Sequence, residues 1–168
     1  MAVMDRRAVL GLAAACVVAA PADGQDQPTL RFVEAAYASA LFQAQISNTA
    51  ASRDVRPEVK RLAERVAALK DGQIAELAGL ARAAGIEVRD TLDLELRTIA
   101  ENLEPLDFLA MSRRYVEVET QALDREIAAY REAAAGGAVA IRDYARGMLP
   151  RLEELATAAR STWNAVKP

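Results

Sequence analysis

Residues 141–163, IRDYARGMLPRLEELATAARSTW, decide the fold of this chain. Their apolar positions recur every three or four residues, which is the spacing of a helix that packs into a bundle. These positions are Ile141, Ala145, Met148, Leu152, Leu155, Ala159 and Trp163. Pro150 lies inside the pattern and lacks a backbone donor, so we expect the helix to bend there. The bend either lets a long helix follow the bundle or frees the Arg146 carbonyl for a nearby site.

The same periodicity predicts three more long helices, at about residues 29–51, 57–84 and 106–135. Pro57 suits the first turn of the second helix, and glycines follow the second and third helices. Between the second and third, we expect a short helix that begins on an aspartate cap, lies between Asp90 and Leu103 and crosses the bundle. The predicted inward face of the first helix is Phe32, Ala36, Ser39, Gln43, Ile46 and Ala50, and that of the second is Ala63, Val66, Lys70, Ile74, Leu77 and Ala81. The predicted inward face of the third is Val116, Leu123, Ile127 and Tyr130.

Composition agrees with an all-α fold in one domain, residues 29–168. The 168 residues are 52% hydrophobic but only 5% aromatic, which favours close-packed helices over a sheet. The net charge is −3, and basic residues are scattered among acidic ones. The absence of a basic block argues against nucleic acid as a partner.

Residues 1–22 have the layout of a cleavable export signal. A charged start precedes an apolar run, Ala8–Ala20, and small residues allow cleavage after Ala22. Arg6-Arg7 fits a twin-arginine signal or an ordinary secretory signal. Lipid attachment at Cys16 is the weaker alternative, because the apolar run continues beyond the cysteine. We therefore expect a periplasmic or secreted protein with a flexible segment at residues 23–28, and no stable membrane span, since the run is too short.

Four stretches resemble a known family: FVEAA, EVKRLAERV, MSRRYV and YARGMLPRLEELATAA. They are similar to the secreted bacterial proteins grouped as domain of unknown function 4142, and the resemblance covers roughly residues 30–161. It implies a ferritin-like four-helix bundle with a long, partly helical crossover between the second and third long helices. The family has no established activity, so the resemblance predicts architecture and no reaction.

The resemblance also implies an interior site in which one acidic residue and three histidines converge. In this chain those positions are Gln43, Lys70, Leu123 and Leu155, and the chain has no histidine. An amide is a poor ligand, a protonated lysine competes with a metal ion, and leucine does not coordinate. We therefore expect no metal, no cofactor and no catalytic residue here.

Other charged residues do not rebuild such a site in the sequence. We expect the carboxylates of the helices to lie on solvated faces: Glu64, Glu76, Glu117, Glu119 and Glu126. Lys70 falls on the inward face, and we expect its stem to follow apolar neighbours until the ammonium reaches water. The alternative is a buried lysine paired with Gln43 or with a carboxylate such as Glu119.

A serine nucleophile would lack a histidine base, and no phosphate-binding glycine loop is present. General acid–base catalysis by a carboxylate pair is left as an alternative that no residue pattern supports. The leading hypothesis is a non-catalytic exported bundle that acts through its surface as an envelope interaction or stress-related module. One alternative is a ferritin-like metal or redox protein. Another is a binder of small apolar ligands or unfolded chains in a crevice opened at Pro150. The sequence names no partner and no oligomeric state.

Overall fold

The computed structural model describes residues 27–167, and all regular structure in that range is helical. The helices are α1 (Gln27–Ser52), α2 (Pro57–Ala83), α3 (Leu94–Glu101), α4 (Phe108–Ala135) and α5 (Val139–Val166). The all-α prediction is confirmed. Helix α1 begins two residues before the predicted start, so it includes Gln27 and Pro28. The predicted export signal and Cys16 lie outside the described residues.

The four long helices form two antiparallel hairpins that pack side by side. Helices α1 and α2 make one hairpin, and α4 and α5 make the other; α1 also packs on α4, and α2 on α5. At one end of the bundle, the Arg56 amide donates to the Ser112 hydroxyl at 3.0 Å, and Arg113 Nε donates to the Val166 carbonyl at 3.0 Å. The α1–α2 turn, the start of α4 and the end of α5 therefore meet there, and α2 and α4 occupy diagonal corners.

A crossover, residues 84–107, joins these diagonal helices. Tyr37, in the first half of α1, donates its hydroxyl to the Asp90 carboxylate of the crossover. Arg53, just after α1, donates to the Glu104 carbonyl. The crossover thus runs along α1, and α2 and α4 point the same way. Helix α3 lies within it and packs on α1. Its aspartate cap is Asp93, whose carboxylate accepts from the Leu96 amide at 2.8 Å.

Helix α2 ends at the glycine that the sequence pattern indicates. The Ile86 amide donates to the Ala81 carbonyl at 2.8 Å, and the Gly85 amide donates to the Arg82 carbonyl at 3.2 Å. This pair of bonds is the Schellman motif, which satisfies carbonyls left free at a helix end. Gly85 has a φ of 65°, a left-handed conformation that glycine adopts without steric cost. The motif therefore stops α2 and starts the crossover.

Most residues of the predicted inward faces are buried, whereas Phe32, Ser39 and Ile74 are only partly buried. Leu123 is fully buried and Leu155 is 4% exposed, as predicted. On α5, Trp163 is only partly buried, whereas the other residues of its predicted face are buried. Helix α5 continues through Pro150, whose ring is on the solvent side, and the predicted bend stays a prediction. Within residues 27–167, no helix has the length and apolarity needed to cross a bilayer.

Candidate functional site

A cluster of polar side chains, here called the polar centre, lies inside the bundle. Helix α1 contributes one of its members, α2 two and α4 three, and none is more than 4% exposed. Each sits on a face whose other residues are apolar, so the helix spacing itself carries them inward. The members are Gln43, Lys70, Gln73, Glu119, Glu126 and Tyr130.

An ion pair between diagonal helices is the core of this cluster. Lys70 Nζ lies 2.5 Å from Glu126 Oε2, and the side chains are 0% and 1% exposed. Removing either charge from water costs several kcal/mol, and each needs an opposite charge to offset that cost. Each charge is therefore the main partner that offsets the desolvation of the other.

Two amides complete the binding of the Glu126 carboxylate. Gln43 Nε2 donates to Glu126 Oε2 at 2.7 Å, and Gln73 Nε2 donates to Oε1 at 2.6 Å. With Lys70, three donors from two helices converge on one carboxylate, and such charge-assisted bonds are stronger than neutral ones. Because an ionised carboxylate only accepts, the amide nitrogens of both glutamines must face it.

Further hydrogen bonds hold the two amides in place. Gln43 Nε2 also donates to Ser39 Oγ at 2.9 Å, and Gln73 Nε2 also donates to the Tyr130 hydroxyl at 2.6 Å. Burial raises the pKa of Tyr130 above its ordinary range, and nearby Tyr144 and Glu126 add to that rise. Tyr130 is therefore a neutral phenol, and its ring packs edge to face on Phe32 at 5.0 Å between centroids.

Glu119 is a second buried carboxyl group on the same face of α4. Burial raises its pKa to about 8, the Lys70 charge lowers it, and the Glu126 charge raises it. Neither carboxyl oxygen has a hydrogen-bond partner among the described residues. Glu119 is therefore a neutral acid near pH 7, and the polar centre holds one positive charge, one negative charge and one protonated carboxyl.

The polar centre has more acceptors than its partners use. Gln43 Oε1 and Gln73 Oε1 are buried without a partner among residues 27–167, as are both oxygens of Glu119. Lys70 carries three ammonium donors, of which one bonds to Glu126. Leaving a polar atom unpaired in the interior costs about 1–3 kcal/mol. These atoms are acceptors that a further donor could use.

A smaller polar contact lies between the polar centre and the α1–α2 turn. The hydroxyls of Ser47 and Tyr115 are 2.9 Å apart. Burial raises the pKa of Tyr115 well above its ordinary range, and the adjacent Glu119 carboxyl raises it further, while Ser47 lowers it. Tyr115 is therefore neutral, and the pair links α1 to α4 without adding charge.

A cleft between α1 and α4, here called the alanine cleft, opens from the polar centre toward α3. Its volume is about 410 Å³. Ser39, Glu126 and Tyr130 reach it from the interior, and small side chains such as Ala38 and Ala129 form its walls. Pro150 does not line this cleft, and a crevice at that proline stays a prediction.

A sequence model of the family described as domain of unknown function DUF4142 matches residues 14–162. The chain belongs to the DUF4142 family. A comparison with curated proteins and with solved structures found no match. The family resemblance noted in the sequence is thereby confirmed.

In this DUF4142 chain, two of the four positions singled out from the family resemblance meet in the polar centre. Gln43 and Lys70 both bond to Glu126. Leu123 lies one helical turn before Glu126 on α4, and Leu155 belongs to the same core from α5. On the surface, Arg65 pairs with Glu154 and Arg131 with Glu153, at 2.8 and 2.7 Å. These outer pairs hold this part of α5 beside the α2 and α4 segments that carry the polar centre.

Two predictions about charged residues are wrong. Lys70 does not reach water but takes the paired alternative, with Glu126 as the partner. Glu119 and Glu126 do not lie on a solvated face, because they follow Val116 and Leu123 by three residues and share their inward side. The remaining carboxylates of that set fit the prediction better, since Glu64 and Glu76 are exposed and Glu117 is partly buried.

The residues of the DUF4142 interior do not fit a transition-metal site. Lys70 already holds Glu126, so a metal ion would have to displace an ammonium group that has no other charged partner in the interior. Leu123 and Leu155 offer no ligand atoms. In the described part of the chain, no three carboxylate, histidine or cysteine side chains come together. The fit fails on ligand chemistry and on charge.

Proposed function

We propose that this protein is a non-catalytic, metal-independent helical bundle of the cell envelope that works by binding. The observation behind the proposal is the Lys70–Glu126 ion pair, buried where the family resemblance implies metal ligands. The lysine supplies the positive charge that a carboxylate in this position requires. The bundle therefore needs no metal ion to neutralise its interior.

The topology supports a comparison with metal-binding bundles. One long crossover joining two helical hairpins is the connection found in ferritin-like folds, which build metal sites from facing carboxylates and histidines. We infer that this chain keeps that arrangement and replaces the metal with an ammonium group. The export-signal layout of residues 1–22 supports a place in the envelope, and an interaction or stress-related role follows as part of the same proposal.

Metal analysis of untagged protein tests this proposal. The chain contains no histidine, so a histidine tag would add the strongest ligands in the sample and must be removed. We expect no stoichiometric metal after purification from the envelope fraction, and no shift in thermal unfolding when zinc or cobalt is added. One equivalent of tightly held metal, with a raised melting temperature, would refute the proposal.

A second candidate function is the binding of a small, mainly apolar ligand. The alanine cleft favours it, because concave sites with apolar walls and a few converging polar groups are the usual form of small-molecule sites. Its volume of about 410 Å³ is within the range of such sites. In this function the polar centre orients the ligand, and the alanines give it room.

A further inference from the structure

We propose that the alanine cleft binds a small organic cation, an amine with an apolar body. The inference rests on the second candidate function and adds the charge and orientation of the ligand. It follows from two separate features of the cleft, the side chains of its walls and the charges at its mouth.

The walls suit an apolar body. Phe32 and Phe42 come from α1, and Leu96 and Ile99 come from α3, while alanines of α1 and α4 leave the space between them open. Burial of an alkyl or aryl group against these side chains is favourable in proportion to the apolar area removed from water. A ligand without an apolar part would gain nothing from such walls.

The charges that line the cleft are mainly negative. Asp93 and Glu95 are exposed at the α3 side, and Glu126 lies at the inner end, whereas Arg125 is the one basic residue among the lining side chains. Lys70 neutralises Glu126 from behind, so the charge that remains is that of Asp93 and Glu95 less that of Arg125, a net charge of −1.

The two features together define a ligand orientation. Asp93 uses Oδ1 to cap α3, which leaves its other carboxylate oxygen for a donor from outside. An ammonium group at the mouth would face Asp93 and Glu95 while its apolar body enters between α1 and α4. A carboxylate in the same place would face like charges, which selects against anions.

A titration with three matched probes tests the inference. Hexylammonium, 1-hexanol and hexanoate share one alkyl chain and differ in charge. Binding is followed by amide chemical shifts of the whole chain at constant ionic strength. We expect shifts around Leu96 and Ile99, with affinity falling from the ammonium to the alcohol to the carboxylate. The dissociation constant should rise roughly two- to fivefold from each probe to the next, which is the usual effect of a solvent-exposed charge contact.

Two variants with matched controls locate the site. Ala129→Leu should fill the cleft and weaken all three probes at least fivefold, whereas Ala128→Leu, at an exposed position outside the cleft, should not. Glu95→Gln should weaken hexylammonium alone, by roughly two- to fivefold. Glu101→Gln, also exposed on α3 but outside the cleft, is its control.

The outcomes separate the two proposals. If none of the probes binds, both the second candidate function and the cation inference fail. If hexanol binds as tightly as hexylammonium, or Glu95→Gln changes nothing, the cleft is an apolar site and only the cation inference fails. Equal effects of Ala129→Leu and Ala128→Leu would place the binding elsewhere and overturn the assignment to this cleft.

Discussion

Lys70 and Glu126 are 56 residues apart in sequence and 2.5 Å apart in space, on diagonal helices of different hairpins. Their side chains are shielded from water, and Gln43 and Gln73 bond to the same carboxylate. A buried pair of this kind contributes little net stability compared with apolar residues, because desolvation offsets most of the attraction. Its presence is therefore better explained by specificity or binding than by stability.

Breaking this pair should be costly, whereas removing both charges should not. Lys70→Met should lower the free energy of unfolding by about 3–5 kcal/mol, because it leaves Glu126 charged and unpaired. Lys70→Met with Glu126→Leu should recover most of that loss. Urea unfolding of the two single variants and the double variant measures the coupling. Arg65→Met, which breaks an exposed pair, is the control and should cost at most about 1 kcal/mol. A double variant no more stable than Lys70→Met would contradict this account.

Stability should fall as the pH rises from about 4.5 to about 8. In the unfolded chain Glu119 loses its proton near 4.5, its ordinary pKa, whereas in the fold it keeps the proton up to about 8. The folded state therefore binds more protons within this window, and the free energy of unfolding decreases by up to about 1.4 kcal/mol per pH unit.

Glu119→Gln isolates this effect, because glutamine is neutral at every pH. Relative to the parent protein, the variant should gain stability steadily across the window and then level off. Glu117→Gln, at a partly buried position on α4, is the matched control and should leave the pH profile nearly parallel to that of the parent. Parallel profiles for Glu119→Gln would show that Glu119 is ionised in the fold.

Much of the fold was predictable from the sequence, because one apolar face recurs along each long helix. The helix ends were also predictable, because the backbone preferences of Gly85 and Pro57 can be recognised from the local sequence. The polar centre was predictable only in part. Glu119 and Glu126 follow the same spacing as the buried apolar residues, but their charge argued for solvent. The position of Lys70 on another hairpin explains the burial of Glu126. Gln73 went unnoticed because the predicted α2 face included the neighbouring Ile74, which is only partly buried, whereas Gln73 is buried.

Truncating a core leucine of α5 should be destabilising in proportion to its burial. Leu155 is 4% exposed, so Leu155→Ala should cost about 2–5 kcal/mol. Leu94, at the start of α3, is 71% exposed, and Leu94→Ala should cost much less. Denaturant unfolding compares the two. A loss below about 0.5 kcal/mol for Leu155→Ala would mean that α5 packs with another face inward.

Restoring metal ligands should create a metal site. The quadruple change Gln43→Glu, Lys70→His, Leu123→His and Leu155→His should destabilise the metal-free protein, because it places polar groups in the core. Zinc or cobalt should then raise its melting temperature in proportion to how far the metal exceeds its dissociation constant.

The matched control carries Gln43→Glu and Lys70→His but keeps both leucines. It should bind metal much more weakly, since it lacks two of the three imidazoles. A quadruple variant that folds and yet shows no response to metal would mean that the four positions do not converge.

The long crossover affects the order in which the two hairpins form and dock. Each hairpin consists of helices adjacent in sequence, and such local contacts form early, whereas the two hairpins meet only after residues 84–107 close a long loop. Until then Lys70 and Glu126 are each hydrated on an open hairpin. Docking with a one-turn slip would bury both charges against leucine and alanine, at a cost of several kcal/mol. The ion pair thus acts as a proofreading contact, which penalises a one-turn misalignment of the two hairpins.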